Sequence, residues 1–334
     1  MAVTLSQVAK LEKAPLKKGV IMNILRDCPV MEWMPFENVD SLTTVAVRAT
    51  KLPTVTFRRL NAGYSQSEAD VDQVYERIYP FGGDIELDRI YKKLGKQNFL
   101  KDPRAFNIDM HVKAMAITFG YYLINGDAAV NPDGFEGLKK RISNMPARQK
   151  IRASGTTDVL DPTASVANAR RFLDKWDEAF QRAGGGVAKP NVIMTNEGVA
   201  TGFGRVLRYL GASGGALMDM SKDSFDRDYV TYKGVPIVDM GLWLDQSTEI
   251  IPRTETAEDA GADATSVYMM PFHEEQGVQG IQLSDMEVYD PLNGGEKSDK
   301  PAEMVRVEWV VGLYGVGSYG ATRLHNIEDP DNWT

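Results

Sequence analysis

Residues 42–83, LTTVAVRATKLPTVTFRRLNAGYSQSEADVDQVYERIYPFGG, decide how this chain is read. In the first part, Val45 and Val47, then Val55 and Phe57, recur at the two-residue step of a strand. Pro53 cannot donate a ladder hydrogen bond, so the strand is an edge or bends there. A polar stretch, GYSQSEADVD (63–72), follows, and VYERIYPF (74–81) alternates again before Gly82-Gly83. The pattern predicts a long hairpin with a polar, flexible tip. Two strands alone are marginal in water. The ribbon therefore either folds back onto a core or lies on another copy of the chain.

Upstream, residues 1–26 form a weakly patterned basic arm, with Lys10, Lys13, Lys17, Lys18 and Arg26 against Glu12. Downstream, residues 102–125 predict the clearest helix. Asp102 suits the N-cap and Pro103 the first helical position. Phe106, Met110, Ala114, Ile117, Tyr121 and Ile124 make one apolar face, and Met115, Phe119 and Tyr122 a second. Asn125-Gly126 stops the helix, and turn-rich residues 125–138 follow. From about residue 155 the pattern becomes helix, strand, helix. Asp161-Pro162 is expected to open a helix with Ala169, Phe172, Leu173, Trp176 and Phe180 on one face, ended by Gly184-Gly185-Gly186. The strand 191–194 precedes a helix capped by Asn196, carrying Val199, Phe203, Val206, Leu207 and Leu210, and ending at Gly211. This order points to a compact α/β lobe. Strands are expected at 230–240, 266–272 and 278–283, then a core strand over 304–316 with Val305, Val307, Trp309, Val311 and Leu313 on one face.

With 334 residues, 43% hydrophobic and 25% charged, the chain can bury two lobes. Cys28 is the lone cysteine, which excludes an intrachain disulfide or a cysteine-built zinc site and suits a reducing compartment. Neither a signal-peptide core nor a run of about 18 apolar residues occurs, so the protein is expected to be made and used in solution, without a membrane. Net charge is −8 but unevenly placed: residues 245–303 hold 14 acids and three bases, leaving the remainder at +3. Residues 139–152 hold six bases and no acid: Lys139, Lys140, Arg141, Arg148, Lys150 and Arg152. They form a solvated loop or a surface facing a polyanion.

Catalytic spellings fail on context. Gly315, Gly317 and Gly320 spell G-x-G-x-x-G, but only 14 residues follow, too few for the helix, strand and acid of a dinucleotide site. Gly211–Gly215 matches G-x-S-x-G around Ser213, but a helix precedes the serine where a nucleophile elbow needs a strand. The loop at Asn131–Gly134 would place Ala129 and Lys140 at ligand positions that calcium requires to be carboxylates. His111, His273 and His325 lack metal-ligand spacing. The sequence points to no catalytic residue, metal site or cofactor.

Taken in order, the arm, the hairpin closing in YPFGGDIELDR (79–89), the long helix, FGYYLINGDAAVNPDGFEGLKKR (119–141) and VRVEWVVGLYGVGSYGATRLHNI (305–327) resemble the major capsid proteins of tailed bacteriophages. The resemblance covers nearly the whole chain. It implies an α+β, Hong Kong 97-like fold, also shared with encapsulins: N-terminal arm 1–40, extended loop 41–88, peripheral domain 89–154 with its spine helix, mostly axial domain 155–290, and a peripheral C-terminal strand and tail 291–334. On that reading the extended loop, with Pro53, Val55, Phe57, Tyr64, Val74, Tyr75 and Ile78, drapes over a neighbouring subunit. The bases Lys10, Lys13, Lys17, Lys18, Lys139, Lys140, Arg141, Arg148, Lys150 and Arg152 face the interior and packaged double-stranded DNA, without sequence preference. Implied partners are identical subunits in hexamers and pentamers, a portal protein, and separate scaffolding and decoration proteins. The implied location is the virion capsid, assembled in the host cytoplasm. Some relatives carry a cleaved scaffolding extension, and here a separate scaffolding protein or none is expected. Others weld subunits through a loop lysine. Only Lys51 lies between 48 and 81, near the loop's base, so no such crosslink is expected. The rival readings are an encapsulin-type compartment shell, a tail-tube or other virion component, and a hydrolase using Ser213.

Overall fold

A computed structural model describes residues 3–4, 27–90, 103–154, 158–186, 189–210, 218–222, 228–256, 263–274, 277–315 and 320–333. In chain order the elements are β1 (Val3–Thr4), β2 (Pro35–Asn38), β3 (Thr43–Lys51), β4 (Asp70–Arg77), β5 (Tyr79–Asp88), α1 (Pro103–Asn125), α2 (Leu138–Ser143), β6 (Lys150–Arg152), α3 (Val166–Arg182), β7 (Val192–Thr195), α4 (Glu197–Tyr209), β8 (Met218–Lys222), β9 (Asp228–Tyr232), β10 (Val235–Asp239), β11 (Glu255–Thr256), β12 (Asp263–Met270), β13 (Val278–Gln282), β14 (Glu287–Tyr289), β15 (Ala302–Gly315) and β16 (Thr322–Glu328).

Among the described residues the strands form three sheets. One is ordered β1-β2-β13-β15-β14, with β5 on the other side of β15. The second is ordered β6-β16-β12-β7-β10-β9-β8, with β11 beside β12. The third is β3 and β4 alone. The central strands β7, β10 and β12 of the second sheet are buried on both faces. Ile193, Ile237, Val267 and Met269 point into a core built with α3 and α4, around Phe172, Trp176 and Phe203. Their neighbours Val192, Met194, Val238, Tyr268 and Met270 point the other way, into a core shared with α1 and the first sheet. A strand buried on both faces reads as a continuous apolar run, which is how VIM (192–194) and VYMM (267–270) are written. In the first sheet Val305, Val307, Trp309, Val311 and Leu313 are all buried, as their alternation predicts. Phe36, Phe119 and Trp309 stack there at 5.2–6.3 Å, and the Trp309 indole donates to Gln282 Oε1 at 2.9 Å.

Several expectations need correction. The spine helix runs over Pro103–Asn125, about 34 Å, but its main buried stripe is Ile108, Val112, Met115, Phe119 and Leu123. Phe106 and Met110, on the expected principal face, are each 44% exposed. The residue proposed as its N-cap, Asp102, lies outside the described residues. Helix α3 begins not at Asp161-Pro162 but at Val166, because Ser165 caps it by accepting from the Asn168 amide at 3.1 Å. Strand β3 stops at Lys51, before Pro53, so Val55 and Phe57 are in no strand. Within residues 291–334, β15 builds the first sheet and β16 crosses to pair with β12 and β6 in the second. Strand β6, at a stretch where no strand was expected, joins β16 there. The expected cap of α4 is present, with Asn196 Oδ1 accepting from the Val199 amide at 3.0 Å.

Candidate assembly surface

The β3–β4 ribbon pairs Thr43 with Arg77 and continues up to Lys51 opposite Asp70. Beyond it, every residue from 51 to 71 is exposed. Phe57, Leu60 and Val55 are 107, 94 and 90% exposed, and Leu52 and Tyr64 follow at 78 and 70%. The two legs are tied by side chains where the ladder has ended. The Thr54 amide donates to Ser67 Oγ at 2.8 Å, and Thr56 and Ser65 hydroxyls meet at 3.4 Å. At the tip the Ala62 amide donates to Arg59 O at 3.1 Å, with Asn61 at φ 65°, in the left-handed region that asparagine tolerates. Arg58 donates to Ala62 O at 3.2 Å and lies 5.1 Å from the Tyr64 ring centre. The loop thus holds its own extended shape and packs against no core.

At the base the situation reverses. Tyr79–Asp88 pairs along Ala302–Val311. Asp84 accepts two bonds from Arg306 at 2.6 and 2.8 Å, which hold its carboxyl below the usual range. Glu86 is bonded by Lys297 and Lys300, which lower its carboxyl likewise. A Cβ on Gly312 would sit 2.4 Å from Arg77 O, so only glycine lets β15 pass the point where the loop leaves the body. Ile78, expected to face a neighbour, is 5% exposed and belongs to this chain's own interior. Val74 is half-buried and Tyr75 is 62% exposed.

The basic cluster is not one surface. Lys139 bonds Glu255, and Lys140 bonds Asp127 at 3.1 Å. Arg141 forms a bidentate pair with Glu76 at 2.5 and 2.8 Å. Lys150 donates to Ser143 O at 3.1 Å, Arg152 is half-buried and partnered, and Arg148 is exposed. Lys10, Lys13, Lys17 and Lys18 lie outside the described residues. Glu255, missed by the sequence reading, also pairs with Arg323 at 2.9 Å and accepts from Ser266 at 2.5 Å. Burial by itself would raise its carboxyl, but Arg323 and Lys139 outweigh burial and hold it below the usual range. One acid and two bases far apart in sequence give no local signal of such pairing.

Gly211–Gly215 with Ser213, and Gly317, lie outside the described residues. His325 is buried against Asn326 at 2.9 Å. Among the described residues, no three His, Cys, Asp or Glu side chains group to hold a metal, and no helix is long and apolar enough to cross a membrane.

A long helix over a sheet, an α/β lobe behind it and a ribbon reaching outward define the class of fold: the Hong Kong 97-like capsid fold. Solved structures agree. The holo-SrpI encapsulin complex from Synechococcus elongatus PCC 7942 has a TM-score of 0.63 at 13% identity, covering 91% of this chain and 89% of that one. The capsid of a native GTA particle has a TM-score of 0.59 at 13% identity, covering 92% and 90%. Mycobacterium phage Bobi gives a TM-score of 0.56 at 10% identity, covering 90% and 89%. Residues 18–178 match the model of the family Major capsid protein GP7, and no curated protein matches in sequence. The chain shares the fold of these capsid and encapsulin shells.

Proposed function

We propose that this chain is the major capsid protein of a tailed bacteriophage, assembling as pentamers and hexamers into an icosahedral shell around double-stranded DNA. One observation carries this reading: the apolar side chains between Leu52 and Tyr64 are almost wholly exposed within a single copy. Contiguous exposed apolar surface marks an interaction site. The ribbon therefore lies on a neighbouring copy, in a head-to-tail contact that closes into rings. A portal protein, and separate scaffolding and decoration proteins where used, complete the particle in the host cytoplasm. Arg148, Lys150, Arg152 and the basic arm are the candidates to meet packaged DNA through phosphate contacts, whereas Lys139, Lys140 and Arg141 are committed to acids within the chain.

The similarity to an encapsulin complex supports a second reading, a compartment shell holding protein cargo. Electron microscopy and nucleic-acid assay of particles from the native source separate them. Shells with tails and double-stranded DNA support the capsid, and tailless shells holding protein support the compartment. Rings or dispersed subunits, with no closed shell under any assembly condition, overturn both. A gel of mature particles tests for the absence of covalent multimers.

A further inference from the structure

We propose that Arg141 is a latch that sets the angle at which the extended loop leaves the body. The inference rests on the shell reading and adds the residue that governs loop geometry. The β3–β4 ribbon is a sheet of its own, so no ladder carries its direction into the body except through residues 77–79. At that junction β15 passes over Arg77 and Ile78 at Gly312. On the other side lies a cavity of about 560 Å³. Val74 and Tyr75 line it from the loop, and Phe135, Ile142 and Met145 from the body.

One side chain bridges the two walls. The Arg141 guanidinium donates to both Glu76 oxygens on β4, to Glu136 O at 2.7 Å and to Leu313 O on β15 at 3.3 Å. Glu76 and Arg141 are only 11 and 14% exposed, so solvent screens the pair little. The guanidinium's planar fork fixes direction as well as distance, which a lysine cannot do. Leverage makes this matter. From Glu76 to Leu60 is at most about 53 Å of extended chain, so a turn of about 10° at the latch moves the tip by about 9 Å. The cavity is the space into which an unlatched base would swing.

Removing Arg141 outright would strand a buried carboxylate and endanger the fold, so the test uses Glu76→Gln and Arg141→Lys. Both keep side-chain volume and some hydrogen bonding, and chemical denaturation confirms that each subunit folds. Microscopy of assembled particles should show loss of the wild type's single diameter class, with mixed diameters or open shells. Folded variants that build shells of wild-type diameter and uniformity overturn the latch. Should the wild type itself build no shells, the shell reading fails, and the latch is decided on the dispersed subunit. Spin labels are then placed by Thr56→Cys and Ser298→Cys. Native Cys28 is buried, its thiol pushed up to about 12 by burial, and does not compete for the label. A tip-to-body distance distribution broader in Glu76→Gln than in the otherwise unchanged chain supports the latch, and an unaltered one overturns it.

Discussion

Replacing Phe57 by Ser separates the stability of one subunit from the stability of the assembly. The ring is 107% exposed, so in a single copy the substitution removes no buried contact. A surface change of that kind is worth less than about 0.5 kcal/mol. If the ring is covered by a neighbouring copy, burying it stabilises each contact by about 2 kcal/mol. Losing 2 kcal/mol raises the subunit concentration needed for assembly about 30-fold. Sedimentation across a dilution series reads that concentration, and urea denaturation of dispersed subunits reads the fold. The expected outcome is an unchanged denaturation midpoint with assembly displaced to higher concentration. An unchanged assembly threshold would show that no neighbour covers the ring. A lowered denaturation midpoint would show that the loop folds home, and would refute the reasoning from exposure.

Arg141→Ala leaves Glu76 buried without its partner, and should destabilise the subunit by about 3–5 kcal/mol in urea titration. Asn196→Ala removes the cap of α4 together with the 2.8 Å bond to Thr265, and should cost about 2–3 kcal/mol by the same measurement. Glu255 supplies a pH dependence. Its folded carboxyl lies below the unfolded value of about 4.3, so the pairing with Arg323 and Lys139 stabilises the protein above that pH and is lost as pH falls through the folded value. The stability difference between wild type and Glu255→Gln should therefore be largest near neutrality and shrink towards pH 3, whereas a constant difference would mean that Glu255 carries no charge-dependent stabilisation.

Much of the site was readable in one dimension. A ribbon with a proline after its first strand, Val and Phe beyond it and no local partner announces an element in need of support from elsewhere. The residues beyond Pro53 proved to be in no strand, but their exposure follows the same logic, since nothing in the sequence near them offers a core. The basic cluster was left open between a solvated loop and a polyanion-facing surface because charge along a chain does not record where the counter-charges lie. Glu76 is 65 residues from Arg141 and Glu255 is 116 from Lys139, and no spacing rule joins such pairs.

The sequence by itself determined what local periodicity encodes: the alternating core strand at Val305–Leu313, the apolar stripe of α3, the cap at Asn196 and the legs of the hairpin at its base. Each follows from repeats of two or about 3.6 residues, or from one hydrogen bond to a near neighbour. Only the tertiary structure decided which side of α1 is buried, that β16 crosses into the second sheet, and that Arg141 serves the loop's base. A helix apolar on two sides has no preferred face until a sheet is laid against it. Strand order is likewise set by packing between segments distant in the chain, which leaves no periodic trace in either partner.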